Sequence, residues 1–116
     1  MDYQTLKNYL LSKKGAREDY PFGEDVPVFK VGSKMFALIN DDEGKISMNL
    51  KCDPQRALVL RSYFPAVKPG YHMNKTHWNT VEIDGSIPDD EIMEMIEHSY
   101  ELVFKSLTKV EKAAIL

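Results

Sequence analysis

The stretch Tyr63–Asp84, YFPAVKPGYHMNKTHWNTVEID, contains a Pro-Gly pair, two histidines, two lysines and the only tryptophan of the chain. Apolar and polar residues alternate in its second half, which predicts a strand over His77–Ile83. If Val81 and Ile83 of this strand face a core, Trp78 lies on the opposite face of the sheet. This part of the sequence therefore predicts both a sheet and a functional surface on it.

The first half of the same stretch predicts a turn followed by a short strand. Pro69-Gly70 suits a type II turn, because proline presets the first central position and glycine accommodates positive φ at the second. The chain then continues as Tyr71–Asn74, which we interpret as a short strand leading into the longer one.

Three runs upstream have the composition of strands, namely Val28–Val31, Lys34–Ile39 and Ile46–Lys51. Turn-forming residues separate them, which predicts an antiparallel meander of two hairpins. The third run alternates, so one set of side chains faces a core (Ile46, Met48, Leu50) and the other faces away (Ser47, Asn49, Lys51). A sheet with one polar face is expected to leave that face open.

Four helices are predicted around these strands. Asp2 caps a helix over about residues 3 to 13, and Asp53-Pro54 is a strong start for a second, short helix. The second helix is predicted to bury the stripe Ala57, Leu58, Leu60 and Tyr63. Ser86 is the predicted cap of the longest helix, whose packing stripe is Ile92, Ile96, Tyr100, Val103 and Leu107. Thr108 and Glu111 form a capping box for a last helical turn or two.

The segment between residues 16 and 27 is predicted to be a loop, because it contains Pro21-Phe22-Gly23 and four acidic residues. Its aromatic side chains, Tyr20 and Phe22, are expected to anchor it to the core. The resulting order is α-β-β-β-α-β-β-α-α, an α+β domain in which an antiparallel sheet of about five strands packs helices on one face.

Length and composition indicate one domain over residues 1–116, since 116 residues with 43% apolar content can bury a core without disulfides or metals. The single cysteine, Cys52, cannot form an internal disulfide, and no apolar stretch is long enough for a signal peptide or a membrane span. These features predict a cytoplasmic protein with no membrane partner.

The charge of the chain is unevenly distributed around a formal net value of −3. Residues 45–81 carry six cations against Asp53 alone, a net +5, whereas residues 1–44 sum to −2 and residues 82–116 to −6. A fold that kept the middle segment on one surface would have a basic face. The alternative is that these cations are simply solvated.

Several motifs resemble the MmcQ/YjbR family of small bacterial proteins, and the resemblance runs essentially end to end. They are Pro21-Phe22-Gly23, Phe29-Lys30-Val31, Lys34-Met35-Phe36-Ala37, Asn49-Leu50-Lys51, and above all Pro69-Gly70-Tyr71-His72-Met73-Asn74-Lys75 with His77-Trp78. The resemblance implies a frataxin-like (CyaY-like) fold and a DNA-binding function through a double-wing arrangement of hairpins. It brings no established catalytic residues.

The leading hypothesis from the sequence is thus a non-enzymatic module that binds nucleic acid through the open sheet face and the 68–78 loop. Its candidate contacts are Asn49, Lys51, Arg56, Arg61, Lys68, His72, Asn74, Lys75, His77 and Trp78. Cationic side chains would contact phosphates, the asparagines base edges, and the tryptophan an unpaired base. The acidic balance of the chain argues against broad duplex binding.

Three alternatives remain open. The first is a protein-interaction or small-ligand domain in which Trp78 and His72 line a shallow pocket. The second is an enzyme built on His72, His77 and Asn74, although no nucleophile with a base partner is visible. The third is metal binding, but His72 and His77 point to opposite faces of an extended chain, so we predict no metal and no cofactor.

Overall fold

Six strands form one antiparallel sheet in the order β1-β2-β3-β4-β6-β5 in the computed structural model, which describes all 116 residues. The strands are β1 (Ala16–Asp19), β2 (Val28–Val31), β3 (Lys34–Asp42), β4 (Lys45–Lys51), β5 (Val67–Pro69) and β6 (Trp78–Glu82). The helices are α1 (Tyr3–Leu11), α2 (Pro54–Tyr63), α3 (Asp89–Lys105) and α4 (Lys109–Ile115). The predicted α+β class is confirmed, with one strand more than expected.

The core lies between the sheet and the helices α1 and α3. It is built from alternate strand residues such as Phe29, Ile39, Met48 and Val81, which are at most 1% exposed. The predicted stripe of α3 packs there as well, and Ser99 of the same helix is fully buried because its hydroxyl donates to the Phe36 carbonyl at 2.5 Å. Helices on one face of the sheet are thus confirmed.

Three of the predicted helix starts are correct. Asp2 accepts a hydrogen bond from the Thr5 amide, and Asp53 accepts from two amides of the first turn of α2. The capping box of α4 has both of its hydrogen bonds. Ser86 does not cap α3: it donates to Asp84 instead, and the helix begins after Pro88.

The additional strand, β1, lies in the segment between residues 16 and 27, for which a loop is predicted. Its residues pair with β2 from Ala16 opposite Val31 to Asp19 opposite Val28. Such a strand at the edge of a sheet has one neighbour and half of its side chains in solvent, so it tolerates the charged sequence ARED. The aromatic side chains that follow do not anchor the loop to the core, because Tyr20 is 41% and Phe22 is 67% exposed.

The region before β6 also differs from the prediction. The short strand is β5, Val67–Pro69, and Tyr71–Asn74 is an irregular turn. Gly70 does not have positive φ, so the type II turn is wrong; His72 has positive φ instead, at 59°. Glycine is needed at position 70 for another reason: a Cβ there would lie 2.8 Å from Cβ of Trp78.

The predicted packing stripe of α2 is wrong in part. Ala57 is buried, but Leu58 is 63% exposed and Tyr63 is 75% exposed. None of the four helices is both long enough and apolar enough to cross a membrane.

Candidate functional site

The face of the sheet opposite α1 and α3, here called the outer face, carries a cleft of about 530 Å³. Its floor comes from neighbouring strands, where Leu38 pairs with Asn49 and Asn40 pairs with Ser47. The strands position these four side chains together because alternate residues of paired strands point to the same face. The predicted open face is therefore a concave surface rather than a flat one.

Two loops form the walls of the cleft. The β1–β2 loop contributes Phe22 and Val26, and the segment between β5 and β6 contributes Tyr71, His72 and Met73. Phe22 and Tyr71 are 67% and 64% exposed, so both rings are open to solvent. The rings of Tyr71 and His72 lie in contact, with their centroids 4.0 Å apart. A ligand in the cleft would meet aromatic side chains on both sides.

Asn49 holds in place the wall of the cleft that residues 71–73 form. Its amide nitrogen donates to the Tyr71 carbonyl at 3.2 Å, and its amide oxygen accepts from the Thr80 hydroxyl at 2.7 Å. The Thr80 oxygen in turn accepts from the Tyr71 amide at 2.9 Å. Because Asn49 is only 2% exposed, its position fits support of the loop better than direct contact with a base edge.

The 70–77 segment is further stabilised by its own polar side chains. The Asn74 oxygen accepts from the amides of Thr76 and His77, at 2.9 and 3.2 Å. Lys75 donates to the Gly70 carbonyl at 2.9 Å. This is the arrangement expected for an asparagine and a lysine that satisfy an irregular turn. His72 and His77 remain exposed.

Most of the predicted phosphate-binding cations are engaged within the chain. Arg56 forms an ion pair with Glu94 at 3.0 Å, and Lys68 forms one with Glu82 at 2.7 Å. Arg61 donates to the Asn79 side chain at 2.8 Å, and also to the carbonyls of Lys75 and Trp78. Lys51 is the exception among the five: its Nζ takes part in none of the six ion pairs, and its only hydrogen bond to a side chain comes from its backbone amide.

Trp78 lies on the outer face next to Lys51, its partner in the β4–β6 register. The indole is half-buried, and it does not line the cleft. His72 lines the cleft and Trp78 does not, so the two side chains do not share this pocket.

Two titratable groups, Cys52 and His98, lie near the start of α2, outside the cleft. Burial raises the pKa of the Cys52 thiol, which is 4% exposed. Burial, and next the Arg56 guanidinium, lower the pKa of His98, whose Nε2 accepts from the Asp53 amide at 3.1 Å. That bond requires a neutral imidazole. Cys52 is buried and His98 accepts a backbone hydrogen bond, so the surroundings of both groups are those of structural residues. No group of three or more His, Cys, Asp or Glu residues is placed to hold a metal ion.

Eight residues that line the cleft are not among the candidates predicted from the sequence. They are Phe22, Val26, Leu38, Asn40, Asp42, Ser47, Tyr71 and Met73. One signal was available: Phe22 stands between proline and glycine in an otherwise acidic loop, where a large apolar side chain has no obvious partner. The others come from four separate segments, and only the sheet register brings them together.

Fold and cleft define a small α+β domain with one antiparallel sheet and a ligand-sized depression on the face that the helices leave free. The chain belongs to the YjbR family, whose model matches residues 11–102. It is 35% identical to the uncharacterised protein YbdF of Escherichia coli O157:H7, with 97% of this chain and 93% of that protein covered. It is 33% identical to the uncharacterised protein YjbR of E. coli K12, covering all of this chain and 98% of that one.

Solved structures show the same fold. The crystal structure of Deinococcus radiodurans protein DR2400, described by the domain DUF419, superposes with a TM-score of 0.91 at 35% identity, covering 98% of this chain and 87% of that one. A crystal structure from Pseudomonas syringae gives a TM-score of 0.77 at 32% identity, covering 89% and 99%.

Proposed function

We propose that this protein is a non-enzymatic binding module whose outer-face cleft takes a neutral, planar heteroaromatic group. The observation that carries the proposal is the cleft itself, with exposed rings of Phe22 and Tyr71 on its walls and polar groups on its floor. Its volume of about 530 Å³ is in the range of small-molecule sites. Aromatic walls favour a flat ligand, because stacked rings exclude water from two faces at once.

The polar groups of the cleft support a hydrogen-bonding ligand. Asn40 and Ser47 are half-buried and face each other across the β3–β4 register. Unlike Asn49, neither side chain takes part in a hydrogen bond within the chain. An amide and a hydroxyl on the floor of a largely apolar cleft are the kind of groups that orient a heterocycle.

The charges of the cleft support a neutral ligand rather than a phosphorylated one. Asp42 is the only carboxylate of the lining, which has no lysine or arginine. A phosphate group held there would face a negative charge without a cation to compensate it. The absence of catalysis stays a proposal as well; it is supported by the burial and raised pKa of Cys52, the only thiol.

Adenosine, indole and AMP are suitable probes, with amide chemical shifts as the measurement. We expect adenosine or indole to shift the amides of Asn40, Ser47 and Tyr71, and AMP to bind more weakly than adenosine. Tyr71→Ala should weaken binding about five- to a hundredfold, the loss expected for one stacking contact. Tyr63→Ala is the matched control, because Tyr63 is a similarly exposed ring on α2. No shift with either neutral probe, or equal losses in the two variants, would refute the proposal.

Single-stranded nucleic acid is the second candidate ligand, favoured by the adjacent pair of Lys51 and Trp78. This pair combines a cation without an ion pair and a half-buried indole on the same face as the cleft. A base stacked on the indole with a phosphate at Lys51 would use both groups. Extended contacts with a duplex are less well supported, because Arg56, Arg61 and Lys68 already pair with groups of the chain.

The fluorescence of Trp78 tests this second candidate in titrations with a 12-nucleotide single strand and its duplex. A contact between Lys51 and one phosphate predicts that affinity falls roughly two- to threefold between about 50 and 200 mM salt. Lys51→Ala should weaken single-strand binding, whereas Arg56→Ala should leave it unchanged. An emission spectrum that neither oligonucleotide alters would exclude the tryptophan as a stacking partner. A cytoplasmic setting, for either ligand, stays a prediction based on the lone, buried Cys52.

A further inference from the structure

The solvent-facing side of α2 carries no charge. Its exposed residues recur at spacings of three and four, and we call them the α2 stripe: Gln55, Leu58, Val59, Ser62 and Tyr63. Charged residues make up 28% of the chain, so an exposed helix face with none is unusual for this protein. Surface helices normally place their charges toward solvent and their apolar residues inward.

Both charged residues of α2 turn away from that face. Arg56 is paired with Glu94 of α3, and Arg61 reaches the Asn79 side chain on β6. These contacts attach the helix to α3 and β6, while Leu58, Val59 and Tyr63 stay in solvent. The solvent-facing side of α2 is thus uncharged and carries three large exposed apolar side chains, unlike the charged outer side of a typical surface helix.

The packing of α2 within one chain is correspondingly sparse. Of its ten residues only Ala57 is buried. Leu58 and Val59 are each 63% exposed, and Tyr63 is 75% exposed. A contiguous apolar patch of a few hundred Å², rather than scattered single residues, marks an interaction surface.

We propose that the α2 stripe is the interface between two copies of this chain, related by a two-fold axis. In such an interface a patch meets itself, so any net charge on it would be repelled by its own copy. The stripe has no charge and meets that condition, although the chain as a whole carries −3. Nucleic acid or an anionic membrane surface would instead require cations, and the stripe has none.

The length and sequence of α2 suit an antiparallel arrangement. The midpoint of Pro54–Tyr63 lies between Leu58 and Val59, so the axis would pass beside the two aliphatic residues. Ser62 would then lie against the partner's Gln55. Antiparallel helices also place the positive end of one dipole beside the negative end of the other.

The expected affinity is low because the patch is small. A helix of ten residues is about 15 Å long, so two such stripes bury roughly 1,000 Å² in total, at the lower limit of specific interfaces. We therefore expect a dissociation constant on the order of 10 μM to 1 mM.

Sedimentation equilibrium over that concentration range tests the proposal with the full chain. The wild-type protein should shift from 13.3 kDa toward twice that mass, and the shift should persist at high salt. Val59→Glu and Val59→Lys should each stay monomeric, because like charges meet at the axis. An equimolar mixture of the two variants should recover the dimer, since opposite charges then face each other. Val110→Glu is the control: Val110 is 80% exposed on α4, outside the stripe.

Circular dichroism and thermal unfolding of each variant confirm that the fold is retained. A wild-type chain that stays monomeric to about 1 mM refutes the proposal. A dimer that Val59→Glu leaves unchanged also refutes it, because the interface would then lie elsewhere. Failure of the mixed variants to associate contradicts a two-fold arrangement at this residue.

Discussion

Replacing Arg61 with methionine should destabilise the protein markedly, although arginine is usually a surface residue. Its guanidinium donates to the Asn79 oxygen at 2.8 Å and to the carbonyls of Lys75 and Trp78. Asn79 is only 2% exposed, so water cannot readily replace the lost donor. A buried acceptor without a partner costs about 1 to 3 kcal/mol, and bonds from a charged donor are at the upper end of the usual range. We expect a loss of about 2 to 3 kcal/mol.

Urea denaturation measures this loss directly. With a slope of about 1.5 kcal/mol/M, the unfolding midpoint should fall by roughly 1.3 to 2 M. Arg56→Met is a control on the same helix, because its ion pair with Glu94 joins side chains that are 37% and 63% exposed. Such a surface pair contributes less than about 1 kcal/mol, so this variant should change the midpoint little.

The double variant Arg61→Met with Asn79→Leu separates the lost bond from other effects of the substitution. Removing both side chains leaves no buried side-chain group unpaired, and the Trp78 carbonyl still accepts from the Gly70 amide, so most of the stability should return. The reasoning is refuted if Arg61→Met costs no more than Arg56→Met, or if the effects of the two substitutions at positions 61 and 79 simply add.

Three further predictions concern single sites. Gly70→Ala should cost about 1 to 3 kcal/mol in urea denaturation, because its Cβ would lie 2.8 Å from Cβ and 2.9 Å from the carbonyl oxygen of Trp78, atoms that cannot rotate away. Since the pKa of His98 is lowered by burial and next by Arg56, the unfolded chain takes up the proton first. The free energy of unfolding should therefore fall as the pH decreases below about 6.5, and less so in His98→Gln, as urea titrations at about pH 7.5 and 5.5 would measure. Cys52, buried and with a raised pKa, should react with a disulfide reagent at least about a hundredfold more slowly in the native protein than in urea; equal rates would contradict its burial.

Local patterns were sufficient where a residue acts on its own neighbours. The caps of α1, α2 and α4 depend on a side chain and an amide two or three residues away, so they were readable directly. The alternation in β4 likewise identified Met48 and Leu50 as core residues, because a strand with one buried face imposes a period of two. The resemblance to the MmcQ/YjbR family pointed to the family that the comparisons confirm.

Patterns failed where a distant segment decided the outcome. The acidic β1 forms because β2 offers an unpaired edge, which no propensity of ARED indicates. Leu58 and Tyr63 have helical spacing for burial, yet both are exposed. Arg61 of the same helix contacts Asn79 on β6, so a different side of α2 faces the sheet. In both cases the deciding interaction joins residues at least nine positions apart, beyond the range of local patterns.

For the candidate site, the sequence by itself determined that Asn49, Trp78 and Lys51 share one face of a sheet, because strand periodicity is a local property. Only the tertiary structure decided that Phe22 and Tyr71 flank a common cleft with Asn40 and Ser47 between them. It also decided that all of the candidate cations except Lys51 pair with other groups of the chain, since an ion pair or a carbonyl contact depends on which atoms the fold brings within a few ångströms. The chemical type of each side chain follows from the sequence, whereas its availability for a ligand depends on the neighbours that folding brings next to it.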